Sequence, residues 1–217
     1  MTMGTIYLLR HGQTKWNKEE VFRGQYDISL NEVGREQARA LGEALRLEGL
    51  KNPVFLSSPL SRARETAEIA ANSIGLGKDH VEIDSSFLDI SYGKWEGKTR
   101  KEVEKQYPKV YQTWVSDPEK VVFPGGESLG EAADRAEDGI YRAAQENLEG
   151  DTVIVAHRAV NIILLCRLLR AVGSAFWKIR QETGCINVLN YTNSTFVLVK
   201  VNEICHLRTM ERDETDF

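Results

Sequence analysis

The chain is poor in cysteine: three in 217 residues, Cys166, Cys185 and Cys205, with no CxxC pair. An odd and widely spaced set argues against a disulfide framework or a zinc site, and it fits a reducing, cytoplasmic setting. All three read as small buried hydrophobes. Long hydrophobic runs are also missing. The most apolar expected helix, 159–172, is interrupted by Arg167 and Arg170 and is too short for a membrane span. Residues 1–9 do not read as a secretory leader, because a short apolar stretch runs straight into Arg10. Basic excess is lacking too. The net charge is -4, which argues against nucleic acid as the main partner. It leaves room for a small anionic substrate, since a local arginine cluster can make a positive pocket on an acidic protein. No repeat and no linker divides the chain. It reads as one domain over 1–217, with the loops at about 85–98 and 117–128 laid as insertions over one face.

What the chain does have is a core and a rhythm. Apolar residues make up 41% and charged ones 28%, the balance of a soluble globular protein. Thr5–Leu9 reads as a short buried strand that stops at charge and glycine. Asn31 caps a helix to about Gly49, with Val33, Ala38, Leu41 and Leu45 on one side. Val54–Ser57 is a second strand. Pro59 then stands near the first turn of a helix carrying Ala63, Ala67, Ile69 and Ala70. A short strand is expected at His80–Ile83. Thr99 with Glu102, and Ser128 with Glu131, are capping boxes for two helices, the second running to about Glu149. Between them Pro108 and Pro118 bracket another helix. Thr152–Ala156 is the clearest strand, and a helix follows His157. Cys185–Tyr191 and Thr195–Val201 alternate around Asn193-Ser194 as a hairpin. The order specifies an α/β sandwich with a mainly parallel central sheet.

Two histidines stand at matching places, His11 after the first strand and His157 after Thr152–Ala156. In open α/β sheets ligands sit outside the carboxyl ends of the strands. Both imidazoles reach one crevice if their strands are neighbours. Arg10 precedes His11. Arg62 lies in the first turn of the helix after Val54–Ser57, where free N–H groups and the helix dipole favour anions. Histidines and arginines recurring at equivalent strand ends describe a pocket for a dianion such as a phosphoryl group.

Leu8-Leu9-Arg10-His11-Gly12-Gln13-Thr14 with Trp16-Asn17 resembles the signature of the histidine phosphatase superfamily, which includes the cofactor-dependent phosphoglycerate mutases. Ser57-Ser58-Pro59-Leu60-Ser61-Arg62-Ala63 with Thr66-Ala67 resembles its second motif. Val153-Ile154-Val155-Ala156-His157 resembles its third, and Phe123-Pro124-Gly125-Gly126-Glu127-Ser128 recurs in its phosphatase members. The resemblance implies a three-layer, phosphoglycerate mutase-like α/β/α fold. It implies that His11 becomes phosphohistidine, that Arg10, Arg62 and His157 hold the phosphoryl oxygens, and that Asn17 adds a hydrogen bond. No metal or cofactor is called for when arginines supply the positive charge.

Two departures stand out. The family's usual acid is a glutamate just before Gly-x-Trp-x-Gly, and Asp89 holds that place here, in Asp89-Ile90-Ser91-Tyr92-Gly93-Lys94-Trp95-Glu96-Gly97. Asp89 is then the expected proton donor, with Glu96 a structural neighbour. Arg158 follows His157 where many relatives have glycine, and it points either to the far end of a substrate or to solvent. Phe176-Trp177-Lys178-Ile179, the hairpin and Asn202-Glu203-Ile204-Cys205-His206-Leu207 resemble a subgroup of phosphatases that includes metal-independent phosphoserine phosphatases, whose C-terminal histidine near the pocket helps to read the substrate. His206 holds that position, whereas Tyr92 stands where those enzymes carry a loop histidine. Arg23 is a candidate for the entrance, and His80 belongs to the surface.

The expected function is hydrolysis of a small-molecule phosphate monoester. Mutase-type phosphoryl transfer, and a phosphate-binding pseudoenzyme or regulatory protein, remain open alternatives. The oligomeric state is left open by the sequence; a homodimer is one candidate by base rate, with the edge of the terminal hairpin as a candidate surface.

Overall fold

The computed structural model describes residues 4–171 and 173–210. In chain order the strands and helices are β1 (Gly4–Arg10), the one-turn α1 (Lys15–Lys18), α2 (Glu32–Glu48), β2 (Val54–Ser57), α3 (Ser61–Ser73) and β3 (Val81–Ile83). Then follow α4 (Arg100–Gln106), α5 (Pro108–Ser116), α6 (Leu129–Glu146), β4 (Asp151–Ala156), α7 (Arg158–Leu168), β5 (Ile186–Thr192) and β6 (Thr195–Glu203). They form one six-stranded sheet in the order β3-β2-β4-β1-β5-β6. The first four strands are parallel, and β5 and β6 close the sheet antiparallel. β6 is therefore an edge.

Side chains alternate across the strands and so build two cores. Ile6 and Leu8 of β1 and Ile154 of β4 pack with Ile140 of α6 and Leu164 of α7. Tyr7, Leu9, Val153 and Val155 point the other way, toward Leu41 and Leu45 of α2 and Ala63 and Ala67 of α3. Helices thus cover both faces, the three-layer arrangement expected. A third cluster, rich in aromatics, includes Phe22, Trp95, Trp114 and Phe123 and supports the loops above the sheet.

The helix boundaries follow local chemistry. The Asn31 side chain accepts from the Gly34 N–H, and Gly49 closes α2 in the left-handed conformation. Both capping boxes form, at Thr99/Glu102 and Ser128/Glu131. Asn193 and Ser194 both have positive φ, as a tight two-residue hairpin requires.

Several boundaries differ from the expected ones. Pro59 does not open α3, which begins at Ser61 after an extended Leu60. His80 lies in a 3-10 turn, and its strand starts at Val81. α6 stops at Glu146, not at 149. α7 ends at Leu168, short of the expected 172, and Arg170 adopts a positive φ. Val172 lies outside the described residues. Among the described residues, no helix is long and apolar enough to cross a membrane.

Candidate active site

β1 and β4 are parallel neighbours, with Arg10 opposite Ala156, so both strands deliver their following histidines to the same crevice. The His11 N–H donates to the Ala156 carbonyl at 3.1 Å. The two imidazole centroids are 5.2 Å apart. Arg10, Arg62 and His157 are fully buried, and His11 is 1% exposed. Burying so many ionisable groups in one place is costly unless each is held by a partner.

His11 Nδ1 lies 2.6 Å from the Gly12 carbonyl oxygen. A carbonyl accepts only, so Nδ1 carries the proton and Nε2 keeps its lone pair. Burial first, then the nearby Arg62, Arg10 and Arg23, hold the His11 pKa well below the ordinary 6.5. The imidazole is therefore neutral at neutral pH and can act as a nucleophile. The turn that aims it is tight. A Cβ on Gly12 would meet the Gly34 carbonyl oxygen at 2.3 Å, so β1 runs into direct backbone contact with the start of α2.

Arg10 donates to the Gln181 carbonyl at 2.6 Å. Arg62 enters from the first turn of α3. It donates to the carbonyls of Tyr26 and Gly24, both at 2.8 Å, and to Asp89 Oδ2 at 3.0 Å. His157 is the N-cap residue of α7. Its Nε2 is 2.7 Å from Ser58 Oγ, and its Nδ1 is 3.7 Å from Asp89 Oδ2. Burial, then Arg62, His11, Arg23 and Arg135, lower its pKa well below 6.5. Asn17 is buried beside Thr14, whose backbone N–H and hydroxyl both donate to Asn17 Oδ1 at 2.8 Å. The donor end of that amide is the one suited to a phosphoryl oxygen.

Asp89 faces the same crevice. Burial raises its pKa above 3.8, opposed by Arg62, by Arg23 and by the Ile90 N–H. Its loop is clamped from outside. The Arg135 guanidinium spans Glu127 at 2.8 Å and 3.2 Å and donates to the carbonyls of Ser86 and Asp89. The Ser91 N–H donates to Glu127. A Cβ on Gly126 would meet the Ser91 carbonyl oxygen at 2.3 Å. The Pro124-Gly125-Gly126-Glu127 stretch thus buttresses the Asp89 loop, a role its sequence alone did not disclose. Glu96 is structural: it accepts from the backbone N–H groups of Gln25 and Tyr92.

His11 and Asp89 open into a cleft whose mouth carries Arg23, Tyr92 and Arg158. Arg158 therefore belongs to the cleft, with its guanidinium 5.8 Å from the Trp177 ring centroid. Trp114 and Glu20 also line it, and neither was singled out from sequence. His206 is placed differently from expectation. It is not among the cleft-lining residues, and its Nε2 lies 2.9 Å from the Gly184 carbonyl oxygen. The Gly184 N–H donates to the His11 carbonyl, so His206 braces the backbone behind His11. His80 is exposed, as expected. Ser58, whose Oγ meets His157, stood in the second motif without an assigned role, and the carbonyls of Gly24, Tyr26 and Gln181 were missed because main-chain acceptors leave no residue-type signal.

The profile of the histidine phosphatase superfamily (branch 1) matches residues 6–204. Phosphoserine phosphatase 1 of Hydrogenobacter thermophilus is 31% identical over 205 residues, covering 94% of this chain and 95% of its own. The uncharacterized phosphatase PhoE of Bacillus subtilis is 34% identical, covering 94% of this chain and 97% of its own. Among solved structures, Bacillus stearothermophilus YhfR superposes with a TM-score of 0.85 over 94% of this chain and 99% of that one, at 28% identity.

Proposed function

The chain belongs to the histidine phosphatase superfamily, and on that premise we propose that it hydrolyses a small-molecule phosphate monoester through a phosphohistidine on His11. The observation that carries this reading is the tautomer of His11: its Nδ1 is committed to Gly12, so the Nε2 lone pair stands in a buried site that Arg10 and Arg62 also enter.

His11 Nε2 attacks phosphorus as the bond to the leaving alcohol oxygen breaks. Arg10, Arg62, His157 and the Asn17 amide hold the three peripheral oxygens and stabilise their charge. Asp89 gives its proton to the departing oxygen. As a carboxylate it then takes a proton from the water that attacks the phosphohistidine, and inorganic phosphate leaves with His11 restored. The guanidinium groups supply the fixed positive charge, so the reaction is proposed to need no metal.

The mouth favours an alcohol that bears an anionic group, because Arg23 and Arg158 both line it. Glu20 on the same cleft suits a neighbouring ammonium. Phosphoserine carries both groups, and it is also suggested by the name of the Hydrogenobacter thermophilus relative.

The test is a panel of phosphate esters, phosphoserine and 3-phosphoglycerate among them, assayed with and without chelator. Expected are free phosphate with and without chelator and an acid-labile phosphoryl adduct on His11 after rapid quenching. Isomerised ester without free phosphate would replace this reading with mutase chemistry. Absence of the adduct with every ester would leave a binding protein.

A further inference from the structure

Behind Arg10 lies a buried group of uncharged polar side chains that the proposed chemistry does not use. Gln181 is 3% exposed, and Asn187 and Asn161 are fully buried. Gln181 Nε2 donates to Asn187 Oδ1 at 2.7 Å, and Asn187 Nδ2 donates back to Gln181 Oε1 at 2.8 Å. The pair is reciprocal, like a base pair made of amides. Asn187 Nδ2 also donates to the Leu8 carbonyl at 2.9 Å, and Asn187 Oδ1 also accepts from the Asn202 N–H at 2.9 Å. Both hydrogens and both lone-pair sites of that amide are thereby used.

The placement is specific. Asn187 sits on β5 where its pairing with β6 shifts register, and its side chain fills the gap between strands. Leu8 is two residues before Arg10 on β1. Gln181 presents its own carbonyl to the Arg10 guanidinium at 2.6 Å. Asn161, in the first turn of α7, donates to Gln181 Oε1 at 3.4 Å, and the Cys185 thiol does so at the same distance. The amide pair therefore ties the strand that carries Arg10 to the carbonyl that receives its guanidinium.

An isolated buried amide is costly, so a saturated pair in this place needs a reason beyond packing. A carboxylate would hold an arginine more strongly but would cancel the charge that a phosphoryl dianion needs. A carbonyl held by neutral amides orients Arg10 without adding negative charge.

We propose that Gln181 and Asn187 form a positioning pair that sets the Arg10 guanidinium for phosphoryl binding. This rests on the reading that Arg10 holds a phosphoryl oxygen, and the two are tested separately in one set of proteins. The set is the unaltered chain, Arg10→Ala, the pair variant Gln181→Met/Asn187→Leu, and all three substitutions together. Each is assayed for turnover of an aryl phosphate and for inhibition by inorganic phosphate.

Arg10→Ala alone tests the reading: phosphate affinity unchanged by that substitution removes Arg10 from the phosphoryl site and removes the proposal with it. The positioning role predicts that the pair variant lowers kcat about 10- to 100-fold and weakens phosphate binding, because a displacement near 1 Å carries a cost of that order. In the Arg10→Ala background the same change costs less than about threefold, because the residue it acts through is gone. An equal loss in both backgrounds, or no loss in the unaltered chain, overturns the proposal. If the pair variant does not fold, Gln181→Asn keeps an amide but shortens its reach, and it is put through the same cycle with the same two outcomes.

Discussion

Asp89 Oδ2 lies 3.0 Å from Arg62 Nη2, so the proposed acid is paired with one of the cations proposed to receive the phosphoryl group. The pair is almost entirely buried, with side-chain exposures of 9% and 0%. Burial favours the protonated acid and Arg62 favours the carboxylate. An arriving phosphoryl dianion competes for Arg62 and brings negative charge close to Asp89. Both effects push the carboxyl toward the protonated form at the moment a proton donor is needed.

Asp89→Asn then separates substrates by leaving group. With an alkyl phosphate, kcat falls by about 10²- to 10⁴-fold, the usual contribution of a general acid. With a nitrophenyl ester, whose leaving group departs without a proton, the loss stays within about tenfold. In the unaltered enzyme kcat for the alkyl ester declines as pH rises through the Asp89 pKa of the complex, and that limb is absent in Asp89→Asn. Steady-state kinetics across pH with both esters checks this, and equal losses on both would remove Asp89 as the donor.

The two buried histidines make stability depend on pH. Their folded pKa values lie well below the 6.5 of an exposed imidazole. Below about pH 6.5 the unfolded chain binds protons that the folded chain does not, so stability falls on acidification, by up to about 1.4 kcal/mol per pH unit for each group. Asp89 works in the opposite sense. Its folded pKa is raised above 3.8, so its contribution is present at low pH and lost as pH rises through the folded value. Urea unfolding between about pH 5 and 7 is expected to show stability rising with pH. The slope should be shallower in His157→Asn; an unchanged slope would show that His157 is not buried in neutral form.

Ser58 is expected to set the tautomer of His157. Its Oγ lies 2.7 Å from Nε2; a hydroxyl that donates there leaves the ring proton on Nδ1, 3.7 Å from Asp89 Oδ2. Nitrogen chemical shifts of the His157 ring are expected to report protonation at Nδ1 near neutral pH. Ser58→Ala is expected to mix the tautomers and to lower kcat/KM about tenfold, a loss of about 1.4 kcal/mol in transition-state binding. Protonation at Nε2 in the unaltered enzyme would reverse this assignment.

Gly12 and Gly49 give a contrast in stability. A side chain at Gly12 collides with backbone, so Gly12→Ala is expected to destabilise by about 3 kcal/mol. At Gly49 nothing lies within 4 Å of an added Cβ, and only the left-handed φ of 66° resists, so Gly49→Ala should cost about 1 kcal/mol. Unfolding in urea ranks the two, and equal effects would contradict the close approach of Gly12 to Gly34.

Much of this molecule was legible in the residue order because the relevant forces are local. The apolar, β-branched run Thr152–Ala156, the capping pairs Thr99/Glu102 and Ser128/Glu131, and Asn193-Ser194 between alternating segments each act within a few residues. Arg10, His11, Arg62 and His157 stood out because they recur at strand ends and helix starts, which a parallel sheet turns toward one crevice. What the sequence could not decide was which distant backbones meet. The adjacency of β1 and β4 brings the histidines 5.2 Å apart. Two of the partners of Arg62 are carbonyls 36 and 38 residues away, and any residue can offer a carbonyl. The same limit hid the partner of His206, whose Nε2 meets the Gly184 carbonyl. The sequence determined which groups do the proposed chemistry; only the tertiary structure decided how they are held, because the holding is done largely by main-chain atoms and buried amides, whose partners are set by packing across the whole chain.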